Sequence, residues 1–291
     1  MVQTASVTFS DPKLLAGLYS NASFRNLCKP GEKQNGFVKC LQSTLYGDSK
    51  GHSLRRLLDI GFQELLQNYR HEYLFKSTLL NDYVLENYRL DNSILLNEFQ
   101  IGKSIADAVL VNGTNKVFEI KTELDSPNRL ATQIQDYKKA FSEVYLVVHE
   151  NQADKYAAII AEEIGLLCFS EKNRIWNFKE ANKDIDRLDV DAMVKSLRKD
   201  ELIQLATSLS GEIPDATPVR LFKACLEIVK EYQPLQVQKE YLKIIKKRIN
   251  PATNELIKSD QIPYWLKFFC YTENIKEKDY IHLINSLDII F

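Results

Sequence analysis

Asp107, Glu119 and Lys121 are the residues whose types and spacing point to chemistry. Asp107 interrupts the apolar run SIADAVLV, and Glu119 and Lys121 interrupt KVFEIKTEL. A carboxylate inside an apolar segment is costly unless it is paired or bound to a cation. Two carboxylates beside an ammonium supply the hard oxygen ligands that Mg²⁺, or Mn²⁺ in its place, takes up while keeping several waters. Such a metal polarises a phosphodiester oxygen and acidifies a bound water, and Lys121 would orient or deprotonate that water or offset charge on the phosphorane. Taken alone, a Glu-x-Lys triplet is more often an ion pair on the open face of a sheet. The conjunction with Asp107 is what raises it.

The elements around these residues must bring them together. Asn112-Gly113-Thr114 lies between the two runs, and an Asn-Gly step flanked by apolar strands predicts a β-hairpin. Alternate strand residues share a face, so Glu119 and Lys121 point one way and Phe118 and Ile120 the other. Asp107 is less determined, because a slip of one residue reverses every side chain. A three-residue loop pairs Val111 with Asn115 and sets Asp107 opposite Glu119. A two- or four-residue loop sets it opposite Ile120, so the chemistry requires an odd loop or a bulge.

A helix is predicted next, with Ser126 as N-cap and Pro127 at its first position, running to about Phe141. Gln133 and Tyr137 are four residues apart and share a face, with Arg129 one turn earlier. The run EVYLVVHE then reads as a buried strand, Asp154 to Ile164 as a helix ended by Gly165, and LLCFS and RIWNF as further strands.

Asp107 followed across a hairpin by Glu119-Ile120-Lys121 resembles the motif of the PD-(D/E)XK nuclease superfamily, and Gln133 with Tyr137 resembles the Gln-x-x-x-Tyr signature of its RecB-like nucleases. Ala106 stands where the nominal proline would be. The likeness covers roughly residues 72–178 and points to a small bacterial branch with a helical C-terminal part. It implies a restriction-endonuclease-like α/β (α+β) core, a mixed sheet flanked by helices. It also implies a Mg²⁺-dependent nuclease that cuts DNA, in defence against phage or in mobile-element processing. Asp107, Glu119 and the Ile120 carbonyl would ligate the metal. Glu72, on a helix before the first core strand, is the candidate for a further acidic ligand; its other reading is an i,i+4 ion pair with Lys76. Glu86 and Glu98 are lesser candidates. Gln133 would hydrogen-bond the metal-site carboxylate or the scissile phosphate, and Tyr137 would support the site or stack near a base. Arg129 would contact phosphate, pair with Asp125 or face water. A binding module using the same fold without catalysis, its helices forming the recognition surface for nucleic acid or protein, is the rival reading.

Composition constrains the remainder. The 291 residues carry a net charge of −1, so any groove for a polyanion must be local; Arg55 with Arg56, Lys138 with Lys139, and Lys243, Lys246, Lys247 and Arg248 are the basic clusters. Five scattered cysteines and four histidines without ligand spacing argue against disulfides and zinc. His149 invites a general-base role but is read as structural, since Lys121 and water already cover proton transfer. The chain lacks a long apolar run and a secretory start, so the cytoplasm is the expected location. Three segments are expected: a helical region over 1–69, the nuclease-like core over 70–184, and a helical domain over 185–291. Double-strand cleavage by one site per chain would favour a homodimer. Tyr264, Trp265, Phe268, Phe269 and Tyr271 at helical spacing predict a core face rather than a base-stacking surface.

Overall fold

The computed structural model describes residues 7–47, 49–112, 115–170, 172 and 174–291. Contacts group the chain into two units: residues 1–86, 171–173 and 251–291 form one, and residues 87–170 and 174–250 form the other. Chain order is therefore not the order of packing. Helices from both ends of the sequence share the first unit, and the helices over 190–248 group with the sheet.

The first unit holds a two-stranded sheet, β1 (Thr8–Phe9) and β2 (Leu45–Tyr46), with helices α1 (Pro12–Leu18), α2 (Asn21–Leu27), α3 (Glu32–Thr44), α4 (Leu54–Asn68) and α5 (Glu72–Thr78). A π-helical turn over Leu79–Val84 leads to α6 (Leu85–Asn87), where the chain passes into the second unit. Helix α4 begins where Ser53 accepts from the Arg56 N–H, an N-cap, and it buries the stripe Leu54, Leu57, Leu58, Phe62 and Leu65. Aromatic side chains fill this core. Phe24 stacks on Trp265 with ring centroids 5.5 Å apart, and Trp265 donates its indole N–H to Asp59 at 2.8 Å.

The second unit is built on a six-stranded mixed sheet: β3 (Ile94–Ile101), β4 (Ser104–Val111), β5 (Asn115–Lys121), β6 (Glu143–His149), β7 (Gly165–Phe169) and β8 (Ile175–Lys179). Each strand lies beside the next in sequence. Pairs β3–β4, β4–β5 and β7–β8 are antiparallel, and β5–β6 and β6–β7 are parallel. Parallel neighbours need a crossover, which a 3₁₀ turn (Pro127–Arg129) with α7 (Leu130–Tyr137) and then α8 (Ala153–Ala157) supply. The central strands β5, β6 and β7 are buried on both faces; β6 and β7 carry near-continuous apolar sequences, whereas β5 buries the polar Asn115, Glu119 and Lys121 among its apolar residues.

Two helix boundaries differ from the sequence reading. The helix expected over Asp154 to Ile164 leaves α geometry at Ala157, and Gly165 opens β7 rather than stopping a helix. A Cβ on Gly165 would stand 2.4 Å from the Tyr145 ring, so the glycine is there for close strand packing. The single amphipathic stretch expected from Met193 to Leu209 is two helices, α9 (Val190–Lys195) and α10 (Lys199–Ser210). Ser196 and Leu197 close the first onto Met193 and Val194, and Glu201 accepts from the Arg198 N–H at 2.7 Å to start the second. Helices α11 (Leu221–Lys230) and α12 (Pro234–Ile245) complete this unit; α13 (Ala252–Leu256), α14 (Tyr264–Thr272) and α15 (Glu277–Leu287) belong to the first. Trp265, Phe268, Phe269 and Tyr271 of α14 are buried.

Candidate functional site

Register decides whether the carboxylates meet. Val111 pairs with Asn115 and Ala108 with Phe118, which is the pairing of a three-residue loop; Gly113 and Thr114 themselves lie outside the described residues. Continued by one residue, the register sets Asp107 across from Glu119. The regular ladder ends at Ala108, and the Asp107 carboxylate accepts the Ile120 N–H at 2.6 Å. On the same register that N–H would meet residue 106 of β4, so a side chain has taken the place of a backbone acceptor. On the other flank, Asn97 pairs with Ala108 and Phe99 with Ala106, and the intervening Glu98 has a left-handed backbone, φ 52°. Asp107 thus sits where β4 departs from regular pairing with both neighbours.

Glu119 is buried, and its carboxylate is surrounded by donors. Lys121 Nζ lies 2.7 Å and Gln133 Nε2 2.6 Å from Oε1, and the Tyr137 hydroxyl lies 2.5 Å from Oε2. Lys121 Nζ also donates to Gln133 Oε1 at 3.2 Å. A carboxylate offers about four acceptor positions, so three are engaged. Burial, and then the Glu119 charge beside it, push the Tyr137 phenol well above its ordinary range, which keeps the hydroxyl protonated as a donor.

Helix α7 delivers Gln133 and Tyr137 together because they lie one turn apart. Its height over the sheet is set by Asp136. That carboxylate accepts the Lys103 N–H at 3.2 Å and the Ser104 hydroxyl at 2.9 Å, and so closes on the β3–β4 turn at Gly102. Gly102 has φ +60°, and a Cβ there would meet the Asp136 carboxylate at 2.8 Å. Burial alone would raise the Asp136 pKa; hydrogen bonds from Lys139, Ser104 and Lys103 outweigh it and hold the group below the usual range. Tyr137 also reaches the Ile105 carbonyl at 2.9 Å. The Asp136 clamp escaped the sequence reading, because nothing local to Asp136 marks the turn 33 residues earlier on which it closes.

The donor chemistry suits a hard cation: two carboxylates one strand apart, with the Ile120 backbone between them. Among the described residues, no three His, Cys, Asp or Glu side chains gather as a ligand set. A cation here would therefore have at most two side-chain carboxylates, with backbone carbonyl and solvent completing its shell.

The profile described as Bacteriophage P4 protein cII matches residues 66–279, more than half of the chain. The chain belongs to the bacteriophage P4 protein cII family. Protein cII of Enterobacteria phage P4 is 26% identical over 195 residues, 64% of this chain and 67% of its own. Among solved structures, the SPO1766 protein of unknown function from Silicibacter pomeroyi is similar at 15% identity and a TM-score of 0.27, over 32% of this chain. That match spans 63% of the SPO1766 chain.

The span shared with the cII family contains Asp107, Glu119, Lys121, Gln133 and Tyr137, the residues brought together here. It also contains Glu72 and Arg129, which stand differently. Glu72 lies in α5 of the first unit and pairs with Lys76 at 2.5 Å, the i,i+4 arrangement. Glu86 is in the first unit as well. Arg129 is exposed and outside the hydrogen-bond cluster, while Asp125 is occupied by the Thr122 N–H and hydroxyl, both at 2.8 Å.

The basic clusters are largely committed to structure. Lys138 is buried between Glu163 at 2.6 Å and Asp184 at 3.3 Å, and Lys139 pairs with Asp136 at 2.7 Å. Arg248 forks onto Glu201 at 2.7 and 2.6 Å and lies over the Phe99 ring. Lys243 pairs with Glu240, Lys246 donates to the Asn92 carbonyl, and Arg55 donates to the Gln261 carbonyl. His149 is buried, with Nδ1 accepting the Asn151 N–H at 3.4 Å. No helix among the described residues is long and apolar enough to cross a membrane.

Proposed function

We propose that this cII-family chain is a Mg²⁺-dependent or Mn²⁺-dependent nuclease acting on DNA, on a restriction-endonuclease-like core. The observation that carries the reading is Asp107 bonded to the Ile120 N–H at an irregularity between β4 and β5, beside a Glu119 that Lys121, Gln133 and Tyr137 hold by hydrogen bonds. Asp107 and Glu119 would hold the cation, with the Ile120 carbonyl as a further donor. A bound Mg²⁺ supplies Lewis-acid polarisation of the phosphodiester and eases deprotonation of the attacking water. Hydrogen bonds from Gln133 and Tyr137 to opposite oxygens of the Glu119 carboxylate restrict its rotation. The Lys121 ammonium, tethered to Glu119 and Gln133, offsets phosphate charge or manages the proton of the attacking water.

Plasmid incubated with purified protein and Mg²⁺ tests the reading, with Glu119→Ala and Lys121→Ala as controls. Cleavage lost in both supports it; cleavage unchanged in both defeats it. Mn²⁺ titration of Asp107→Asn gives a second measurement, because the amide oxygen keeps the Ile120 contact while the charge is removed.

A non-catalytic module for binding nucleic acid or a partner protein is favoured by one observation: Glu119 is satisfied by Lys121, Gln133 and Tyr137 as a buried structural ion pair would be. On that reading Mn²⁺ does not bind at millimolar concentration and plasmid stays intact.

A further inference from the structure

Trp176 and Phe178 are large aromatic side chains left 43% and 40% exposed on the sheet strand β8. Their ring centroids lie 5.6 Å apart. Among the described residues, strand β8 is at the edge of the sheet, with β7 as its neighbour. Between Leu166 and Leu167 its register shifts, and Phe178 falls in that irregularity, between Asn177 opposite Leu167 and Lys179 opposite Leu166. A bulge re-aims side chains at a sheet edge, and here it leaves both rings on one side.

The lateral register shows which side. Lys121 pairs with Val148, Val148 with Cys168, and Cys168 with Trp176. Laterally paired residues share a face, so the Trp176 ring lies on the Lys121 side of the sheet, three strand spacings away, about 14 Å. Val148 and Cys168 between them are fully buried. Arg174, exposed and two residues before Trp176, falls on the same face by alternation.

We infer that Trp176 and Phe178 form a stacking platform for unpaired bases of a nucleic-acid strand, with Arg174 beside it for the backbone phosphate. Two adjacent exposed rings offer π-faces to any base, and the guanidinium supplies the matching charge. The position of the scissile bond rests on the nuclease reading, and the substrate is then DNA with a single-stranded or frayed segment next to the cut. A duplex, its bases stacked internally, gains nothing from these rings.

The experiment uses the full chain with chelator present, so that no cutting occurs, and an oligothymidylate probe. The chain has two tryptophans, and Trp265 is buried, so fluorescence quenching reports mainly on Trp176. The expected result is saturable quenching of the wild type and, by anisotropy of a dye-labelled oligothymidylate read identically for every variant, affinity reduced about tenfold or more in the Trp176→Ala/Phe178→Ala variant and a smaller, salt-dependent loss in Arg174→Ala. Affinity for duplex of equal length and the melting temperature should not change. Equal oligothymidylate affinity in wild type and double variant overturns the inference. So does a concentration-dependent dimer that the double variant abolishes without any effect of the oligonucleotide, which would assign the edge to a second copy of the chain. Plasmid cleavage is read in parallel: cleavage with unaltered oligonucleotide affinity removes the platform alone, and quenching at Trp176 without any cleavage removes the nuclease reading alone.

Discussion

The Tyr137 hydroxyl stands 2.5 Å from Glu119 Oε2 and 2.9 Å from the Ile105 carbonyl, so one phenol ties α7 to the carboxylate on β5 and to the backbone of β4. Its removal should be felt twice. In Tyr137→Phe the ring still packs, but a buried carboxylate loses a donor. We expect a loss of about 1–3 kcal/mol in urea unfolding and, on the proposed metal-site reading, weaker Mn²⁺ binding from a less restrained Glu119. An unchanged midpoint would mean that solvent replaces the hydroxyl at no cost.

Lys138 looks in sequence like a phosphate contact and is instead enclosed by Glu163 and Asp184. The carboxylates retain some exposure, at 32% and 19%, which tempers the penalty. Lys138→Met should cost roughly 1–3 kcal/mol of stability, below the value for a fully buried pair, and, on the proposed nuclease reading, leave the salt dependence of DNA binding unaltered. A reduced salt slope would instead make Lys138 a phosphate contact.

Gly165 and Gly17 make an opposed pair. An alanine at 165 drives its Cβ to 2.4 Å from the buried Tyr145 ring and 2.9 Å from the Ala181 nitrogen, where neither can easily yield. Gly165→Ala should destabilise by about 1–3 kcal/mol or more. Gly17 lies inside α1, and a methyl group added there would meet nothing within 4 Å beyond its chain neighbours and the backbone of its own helix. Gly17→Ala should therefore stabilise by about 0.4–1 kcal/mol. Thermal melts of the two variants should move in opposite directions.

Stability should fall at both ends of the pH scale. Asp136, Glu163 and Glu201 are held below their ordinary range. For Asp136 and Glu201 burial opposes the shift and hydrogen bonds outweigh it; for Glu163 the Lys138 hydrogen bond leads. The unfolded chain takes up protons first, from about pH 4 downward, so their contribution is present above that pH and is lost as pH falls through the lower folded values. Burial raises Tyr19, Tyr73, Tyr137, Tyr241 and Tyr264. Above about pH 10 the unfolded chain releases phenolic protons that the fold retains, so stability declines as pH rises further. Melting temperature measured from about pH 2.5 to 11 should describe a plateau with two falling limbs; a flat alkaline limb would contradict the burial of these phenols.

Local pattern was enough for much of the second unit. Each of the six strands of the large sheet sits on a short run rich in apolar residues that is readable in the sequence, because a strand in the sheet interior must supply side chains for burial within five to eight residues. Strand alternation places Glu119 and Lys121 on one face wherever β5 goes. Ser126 and Pro127 announce the start of the crossover, and the four-residue spacing of Gln133 and Tyr137 puts both on one side of α7.

Other features depended on distances along the chain that no local pattern encodes. Where Asp107 falls along β5 turned on loop length, since a hairpin with one residue fewer would have shifted the register by one and sent it to the opposite side. The inward turn of Lys138 followed from where Glu163 and Asp184 come to rest, 25 and 46 residues later. The helices at 252–287 sort with those before residue 87 because their apolar faces find burial there, whatever their place in the chain. Sequence by itself determined which side chains share a face, through the fixed periods of strand and helix. Tertiary structure decided which faces meet, because that choice belongs to register and long-range packing.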